Sequence, residues 1–371
     1  MAQKVYITYI GRTPTGIVDG QLEGISDNEL ATPVLKNLKE KKEITRETVG
    51  EIIFGVARQT STPSNLGRYV ALDAELPVEI PSYTVQRQSA SGIQALLNGY
   101  YLVKSGNIKG AVVGGAESSS MVPLEIYNAR FDFSPAKRNI VDGIEVQQYA
   151  SQPESRYGRI MISDLEQSLF NKCGFTENML KEYTENEIKK FNEKAEIVSE
   201  TDTIIPISKK VKKTVVEIAE DESTGENRHL PYGDGAAVCL LSASDSGAIC
   251  EVASVGISAG NPAASGKESG KAAEIALDKA GVPSAEIDTV FVSYITPSQG
   301  LLVQNELMAL GVDKAKINPI GSALATGNPQ GASGIINIVQ AANYMNQKKL
   351  ATGLVISCAE GGQTVAVVLK K

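Results

Sequence analysis

The chain has 371 residues and a formal net charge of -7, long enough for two core-bearing units and too acidic for nucleic acid or an anionic membrane to be its main partner. A single histidine, His229, in a polar loop-like stretch and no tryptophan exclude histidine-rich zinc sites and two-histidine iron sites. Four scattered cysteines (Cys173, Cys239, Cys250, Cys358) with no CxxC pair fit a reducing cytoplasm, and no apolar run reaches the length of a membrane span.

In chain order, short apolar runs bounded by turn residues predict strands over 4–10, 51–56, 110–115, 236–242, 288–294, 353–357 and 364–369. Apolar residues at helical spacing predict helices over 28–40, 65–75, 91–105, 268–280, 299–310 and 333–347. Short, fully apolar strands alternating with helices describe α/β sheets covered on both faces. Between about Met121 and Arg228 the chain turns charged and irregular, which predicts a peripheral inserted lobe with one or two surface helices. Its basic cluster at 209–213 reads first as a solvated face and second as a contact for ligand phosphates. The expected organisation is residues 1–120, an inserted loop domain over 121–230, and residues 231–371.

An internal repeat binds the two ends together. ASGIQALLNGYYLVKSGNIKGAVVGGAES at 90–118 parallels ASGIINIVQAANYMNQKKLATGLVISCAEGG at 332–362. Each runs from Ala-Ser-Gly-Ile through a striped helix and a turn into an apolar strand ending in Ala-Glu, so a duplicated unit is expected. Duplication would set two helix N-termini beside one crevice, where backbone N–H groups favour an oxyanion or a polarised carbonyl.

Ser89, in VQRQSASGIQAL at 85–96, sits just ahead of the first of those helices. Around it, seven ordered segments resemble the thiolase superfamily: the opening VYITYIGRTPTG, NLGRYVALDAELP, the Ser89 turn, GGAESSSMVP, PYGDGAAVCLLS, GNPQGASGI and SCAEGGQTVAVVL. The resemblance spans nearly the whole chain. It implies a five-layer αβαβα thiolase-like fold of two duplicated halves plus the inserted loop domain, and a homodimer or homotetramer. It also implies acyl transfer on coenzyme A thioesters in the manner of acetyl-CoA acetyltransferases, with coenzyme A as substrate rather than tightly bound cofactor.

Carried over by position, the family's nucleophilic cysteine becomes Ser89 and the histidine of its Gly-His-Pro motif becomes Asn328. The oxyanion-hole asparagine of the Asn-Glu-Ala-Phe motif falls on Ser293, and the loop-domain histidine has no counterpart around Gly158–Asp164. The second family cysteine is kept as Cys358, although Glu360 replaces a glycine just after it. A serine hydroxyl is far less acidic than a thiol and needs a base in reach, and an amide is no base. General acid–base help is worth about 10²–10⁴-fold, so ordinary thiolase turnover is not expected. Three readings follow: a thiolase-like acyltransferase with altered chemistry, a non-catalytic thiolase-fold subunit that binds acyl-CoA or pairs with an active paralogue, and an interaction protein with a vestigial crevice. Glu117 and Asp234 are expected to brace backbone turns. No glycine-rich nucleotide loop is present, so ATP and dinucleotides are not expected ligands.

Overall fold

The computed structural model describes residues 3–18, 20–127, 139–199, 204–206 and 232–371. His229 and the basic cluster at 209–213 lie outside the described residues. The first part holds β1 (Tyr6–Arg12), β2 (Gly16–Ile17), α1 (Asp27–Lys41), β3 (Glu51–Gly55), α2 (Leu66–Asp73), β4 (Ser82–Val85), α3 (Ser91–Lys104) and β5 (Gly110–Ser118). A lobe follows with β6 (Leu124–Ile126), β7 (Ile140–Asp142), α4 (Gly143–Tyr149), α5 (Glu154–Tyr157), α6 (Ile162–Cys173) and α7 (Glu177–Ser199). The last part holds β8 (Gly233–Ser242), β9 (Cys250–Ala259), α8 (Ser269–Ala280), β10 (Thr289–Ser293), α9 (Pro297–Ala309), α10 (Ala323–Thr326), α11 (Gln330–Lys348), β11 (Thr352–Ala359) and β12 (Gln363–Lys370).

The strands run in the order β10-β11-β12-β9-β1-β8-β5-β3-β4, with β2 alongside β8. Read outward from the β1–β9 seam, the two sides match. β8 and β12 pair antiparallel with β1 and β9 respectively, β5 and β11 follow antiparallel, and β3 and β10 follow parallel. The repeat seen in the sequence thus becomes a twofold-like correspondence in which α3–β5 answers to α11–β11.

Alternation along the strands divides the core into layers, because successive side chains of a strand point to opposite faces. Ala111 and Val113 of β5 join Ala237, Cys239 and Leu241 of β8 against α3 and α11. The same central pair of helices is met from the other side by Val355 of β11 and Val365, Val367 and Leu369 of β12. The opposite face of the first strand set packs on α1 and α2 through Val112, Val238 and Leu240. The opposite face of the second packs on α8 and α9 through Leu354, Ile356 and Val368. The result is the five-layer αβαβα arrangement, with α3 and α11 as its innermost layer.

Those two helices approach closely because their shared Ala-Ser-Gly starts lack bulk. A Cβ on Gly92 would lie 2.6 Å from the Gly331 carbonyl oxygen, and one on Gly334 would lie 2.9 Å from Ile93 Cβ. Neither gap admits a methyl group, so glycine at both positions is what lets the helix starts meet.

Besides short pieces such as β2, β6, β7 and α10, and four lobe helices where one or two were expected, two elements of the main sheet differ from the sequence expectation. β9, CEVASVGISA, lacks the long aliphatic run that marks the other strands, and its Gly256 lies under α8, where a Cβ would fall 2.1 Å from the Ala272 carbonyl oxygen. β4 is a four-residue edge strand of half-buried residues. The lobe is less peripheral than its charge suggests: Leu165 and Leu169 of α6, with Leu180 and Tyr183 of α7, complete the apolar layer against α9. No described helix is long and apolar enough to cross a membrane.

Candidate functional site

Ser89 occupies a tight turn between β4 and α3. Gln88, the residue before it, has φ of 48°, a left-handed conformation that costs a non-glycine residue energy and must be held by its surroundings. The Ser91 hydroxyl holds it, donating to the Gln88 carbonyl at 2.6 Å and accepting from the Arg87 amide at 2.7 Å. Gln147 of α4 reaches across from the lobe and donates to the Gln88 side-chain oxygen at 2.8 Å. The turn places Ser89 immediately before the first residues of α3, almost wholly buried.

The structure links Ser293 to Ser89 through Ser357, and holds Asn328 on the backbone of the residue after Ser293. Ser293 at the end of β10 donates to the Ser357 hydroxyl at 2.9 Å, and Ser357 in turn faces the Ser89 carbonyl at 3.4 Å. Ser333 of α11 donates to the same carbonyl at 3.3 Å. Asn328, just ahead of α11, donates from Nδ2 to the Tyr294 carbonyl at 3.0 Å, which fixes its amide orientation. Its Oδ1 is buried and, among the described residues, accepts no hydrogen bond. A cavity of about 30 Å³ lies beside this group, lined in part by Ser293, Asn318, Ser322 and Ser333. It has room for one or two waters.

Cys358 is not part of that group. It alternates with Ser357 along β11, so its side chain points away from Ser89 into the apolar layer of α8 and α9. Its sulfur accepts from the Thr364 hydroxyl at 3.8 Å, and burial pushes the thiol up to about 12. A thiol in that state carries almost no thiolate at neutral pH.

The partner that Ser89 does have is Glu360, which follows β11. One carboxylate oxygen, Oε2, accepts from the Ser89 hydroxyl at 2.8 Å and from the Ser89 backbone N–H at 3.1 Å. The other, Oε1, accepts from Nε2 of Gln330, the first residue of α11, at 2.7 Å. Glu360, Gln330 and Ser89 are all buried. The Glu360 carboxyl group thus takes one backbone N–H just ahead of α3 and a side-chain amide from the start of α11, whose Gly331 N–H goes to Glu117 instead. Glu360 and Gln330 had no assigned role in the sequence. The signal was present at Glu360, an ionisable residue at a position where the resembled family has glycine.

Glu117 and Asp234 brace the surroundings as expected. Glu117 accepts from the backbone N–H groups of Ala57 at 2.8 Å, Arg58 at 3.2 Å and Gly331 at 2.9 Å, tying the loop after β3 to the start of α11. Asp234 accepts from the Ser120 backbone N–H at 3.0 Å and from its hydroxyl.

Comparison with known proteins places this geometry. The family description "Thiolase, N-terminal domain" matches residues 5–230, and "Thiolase, C-terminal domain" matches residues 247–371. The chain belongs to the thiolase family. An acetyl-CoA acetyltransferase of Pseudomonas aeruginosa is 29% identical and the beta-ketothiolase BktB of Cupriavidus necator 25%, each matched over 100% of both chains. The fold of human mitochondrial 3-ketoacyl-CoA thiolase in complex with CoA superposes with a TM-score of 0.89 at 23% identity, covering 100% of this chain and 99% of that one. Bacillus anthracis acetyl-CoA acetyltransferase gives 0.88, also at 23% identity. Within this thiolase fold, the Glu360 carboxyl group lies against Ser89 in the turn before α3.

Proposed function

We propose that the protein binds acyl-coenzyme A thioesters in the crevice at Ser89 and performs acyl chemistry there other than the cysteine–histidine condensation. The observation that carries this reading is the Ser89–Glu360 contact at 2.8 Å, set between the starts of α3 and α11. Full-length similarity to acetyl-CoA acetyltransferase and beta-ketothiolase supports the thioester as ligand. Condensation needs a base to take a proton from the carbon of the second thioester. Asn328 is an amide, and Cys358 faces the other side of its strand. The small cavity beside Ser293 is far below the roughly 300–1,000 Å³ usual for ligand pockets.

The same reading includes a homodimer. Among the described residues β4 ends the sheet with an unpaired edge, and Tyr69 and Leu72 of α2, Val78 of the loop before β4 and Tyr101 of α3 are exposed apolar side chains.

Calorimetry with coenzyme A and thermal melting with acetyl-CoA test the ligand. Saturable binding and a concentration-dependent rise in melting temperature are expected, because a ligand bound only to the folded state stabilises it by mass action. No binding at millimolar coenzyme A leaves only the interaction reading.

A further inference from the structure

We propose that Ser89, Glu360 and Gln330 form a serine–carboxylate–amide catalytic triad that takes the acyl group from a coenzyme A thioester as a serine ester and passes it to water. The proposal rests on the thioester-binding reading and adds the nucleophile, the base and the net reaction.

A nucleophile, a base in hydrogen-bond reach and a third group that orients the base make up the general pattern of covalent acyl transfer. All three are here with direct contacts: Ser89 Oγ to Glu360 Oε2 at 2.8 Å, and Gln330 Nε2 to Glu360 Oε1 at 2.7 Å. Glu360 and Gln330 act at a point where burial strengthens each contact, and the start of α3 favours negative charge developing beside Ser89. The Glu360 carboxylate also holds the Ser89 backbone N–H. Once Glu360 takes the serine proton it becomes neutral and a weaker acceptor. The N–H is then released toward the acyl oxygen as that oxygen gains charge.

In the first half-reaction the Ser89 oxygen bonds to the thioester carbon while its proton passes to Glu360 Oε2. The carbon–sulfur bond breaks, and the departing sulfur takes the proton from Glu360, leaving acyl-Ser89 and coenzyme A. In the second, water adds to the ester carbon and gives its proton to Glu360. The bond to Ser89 breaks and the serine oxygen recovers the proton. The balance is acyl-coenzyme A plus water to carboxylic acid plus coenzyme A, with no oxidant or further co-reactant. Two buried amide oxygens without partners among the described residues, Asn328 Oδ1 and Gln330 Oε1, supply acceptors for the hydrogens of the water. Their orientation follows from the amide nitrogens, which are committed to the Tyr294 carbonyl and to Glu360.

The test uses the full chain with acetyl-CoA, acid-quenched for intact-mass and peptide mapping, with coenzyme A release followed by a thiol reagent. A gain of one acetyl group on Ser89 and steady release of coenzyme A are expected. Ser89→Ala removes both, and Glu360→Gln, which keeps the shape, slows both by about 10²–10⁴-fold. Gln330→Ala lowers the maximal rate per coenzyme A-binding site, counted by calorimetry, with the half-saturating acetyl-CoA concentration unchanged; counting sites removes the contribution of any unfolded fraction. Circular dichroism and coenzyme A calorimetry on every variant separate the two readings. Binding without any Ser89 adduct or coenzyme A release in the wild type overturns the triad and leaves thioester binding intact; absence of binding overturns both. An adduct on Cys358, or one on Ser89 that appears only in Glu360→Gln, also overturns the proposal, the latter by making Glu360 a plug instead of a base.

Discussion

Ser357 and Cys358 are neighbours in sequence, yet they face different layers, and the consequences for their chemistry are opposite. Ser357 joins the hydroxyl chain at Ser89, while Cys358 is enclosed among apolar groups with its thiol pushed up to about 12. Cys239 and Cys250 are buried and their thiols are pushed up as well; Cys173 at the end of α6 is raised by partial burial too, but it alone of the four is exposed to a reagent. Alkylation of the native protein by iodoacetamide at pH 8 is therefore expected to give a single adduct at Cys173, with the other thiols reacting only after denaturation. Rapid native labelling of Cys358, located by peptide mapping, would show a thiol open to the site. That result would return Cys358 to the catalytic roles implied by the family resemblance. Ser89 and Asn328 could be singled out in the sequence because each stands inside a recognisable local motif. The Ser89–Glu360 contact could not, since its partners are separated by 271 residues and meet only when β11 is laid beside the start of α3.

At the scale of elements, the most exposed unmet potential is the β4 edge. Backbone groups of an end strand template pairing with another chain, and the apolar side chains of α2 and α3 beside it enlarge the patch. Light scattering at micromolar concentration is expected to return a dimer, and the double variant Leu72→Glu, Tyr101→Glu a folded monomer. A wild-type monomer would remove the dimer from the proposed function. The elements themselves divide by how locally they are specified. α1, α3 and α11 carry apolar stripes with clear breaks, and their predicted and observed spans agree to within a few residues. β9 escaped because small residues fill it, chosen for the close approach of α8 and not for strand propensity. α7 reads as a run of charge because its outer face carries pairs such as Lys181–Glu185 and Lys189–Glu193. Its inner face, Leu180, Tyr183, Glu187 and Phe191, recurs at helical spacing and is buried.

Across the whole molecule, the layers meet at a charged cluster by the carboxyl end of β5. Asp27 from the first turn of α1, Glu117 of β5 and Asp234 of β8 gather there, with the Arg58 guanidinium 3.8 Å from Glu117. Burial pushes Asp27 up to about 7, and the charge on Glu117 adds to the rise; the Ser118 backbone N–H and Arg58 oppose it. Glu117 is raised by burial too, against the pull of Arg58. In the unfolded chain Asp27 titrates near 4. Between about 4 and 7 the folded state therefore holds a proton that the unfolded state has lost, and stability falls as pH rises through that window. Even one unit of such a shift carries about 1.4 kcal/mol, enough to move the melting temperature by a few degrees. Asp27→Asn keeps an acceptor for the Ser118 N–H and removes the titration. Melting curves from pH 4.5 to 8 are expected to descend less steeply for the variant than for the wild type, and the two to differ most near neutral pH, with the variant the more stable. Parallel curves would mean that Asp27 remains ionised throughout. The cluster would then be held by Arg58 and the backbone donors more firmly than its burial implies, and the convergence of α1, β5, β8 and α11 would owe its strength to those ionic contacts.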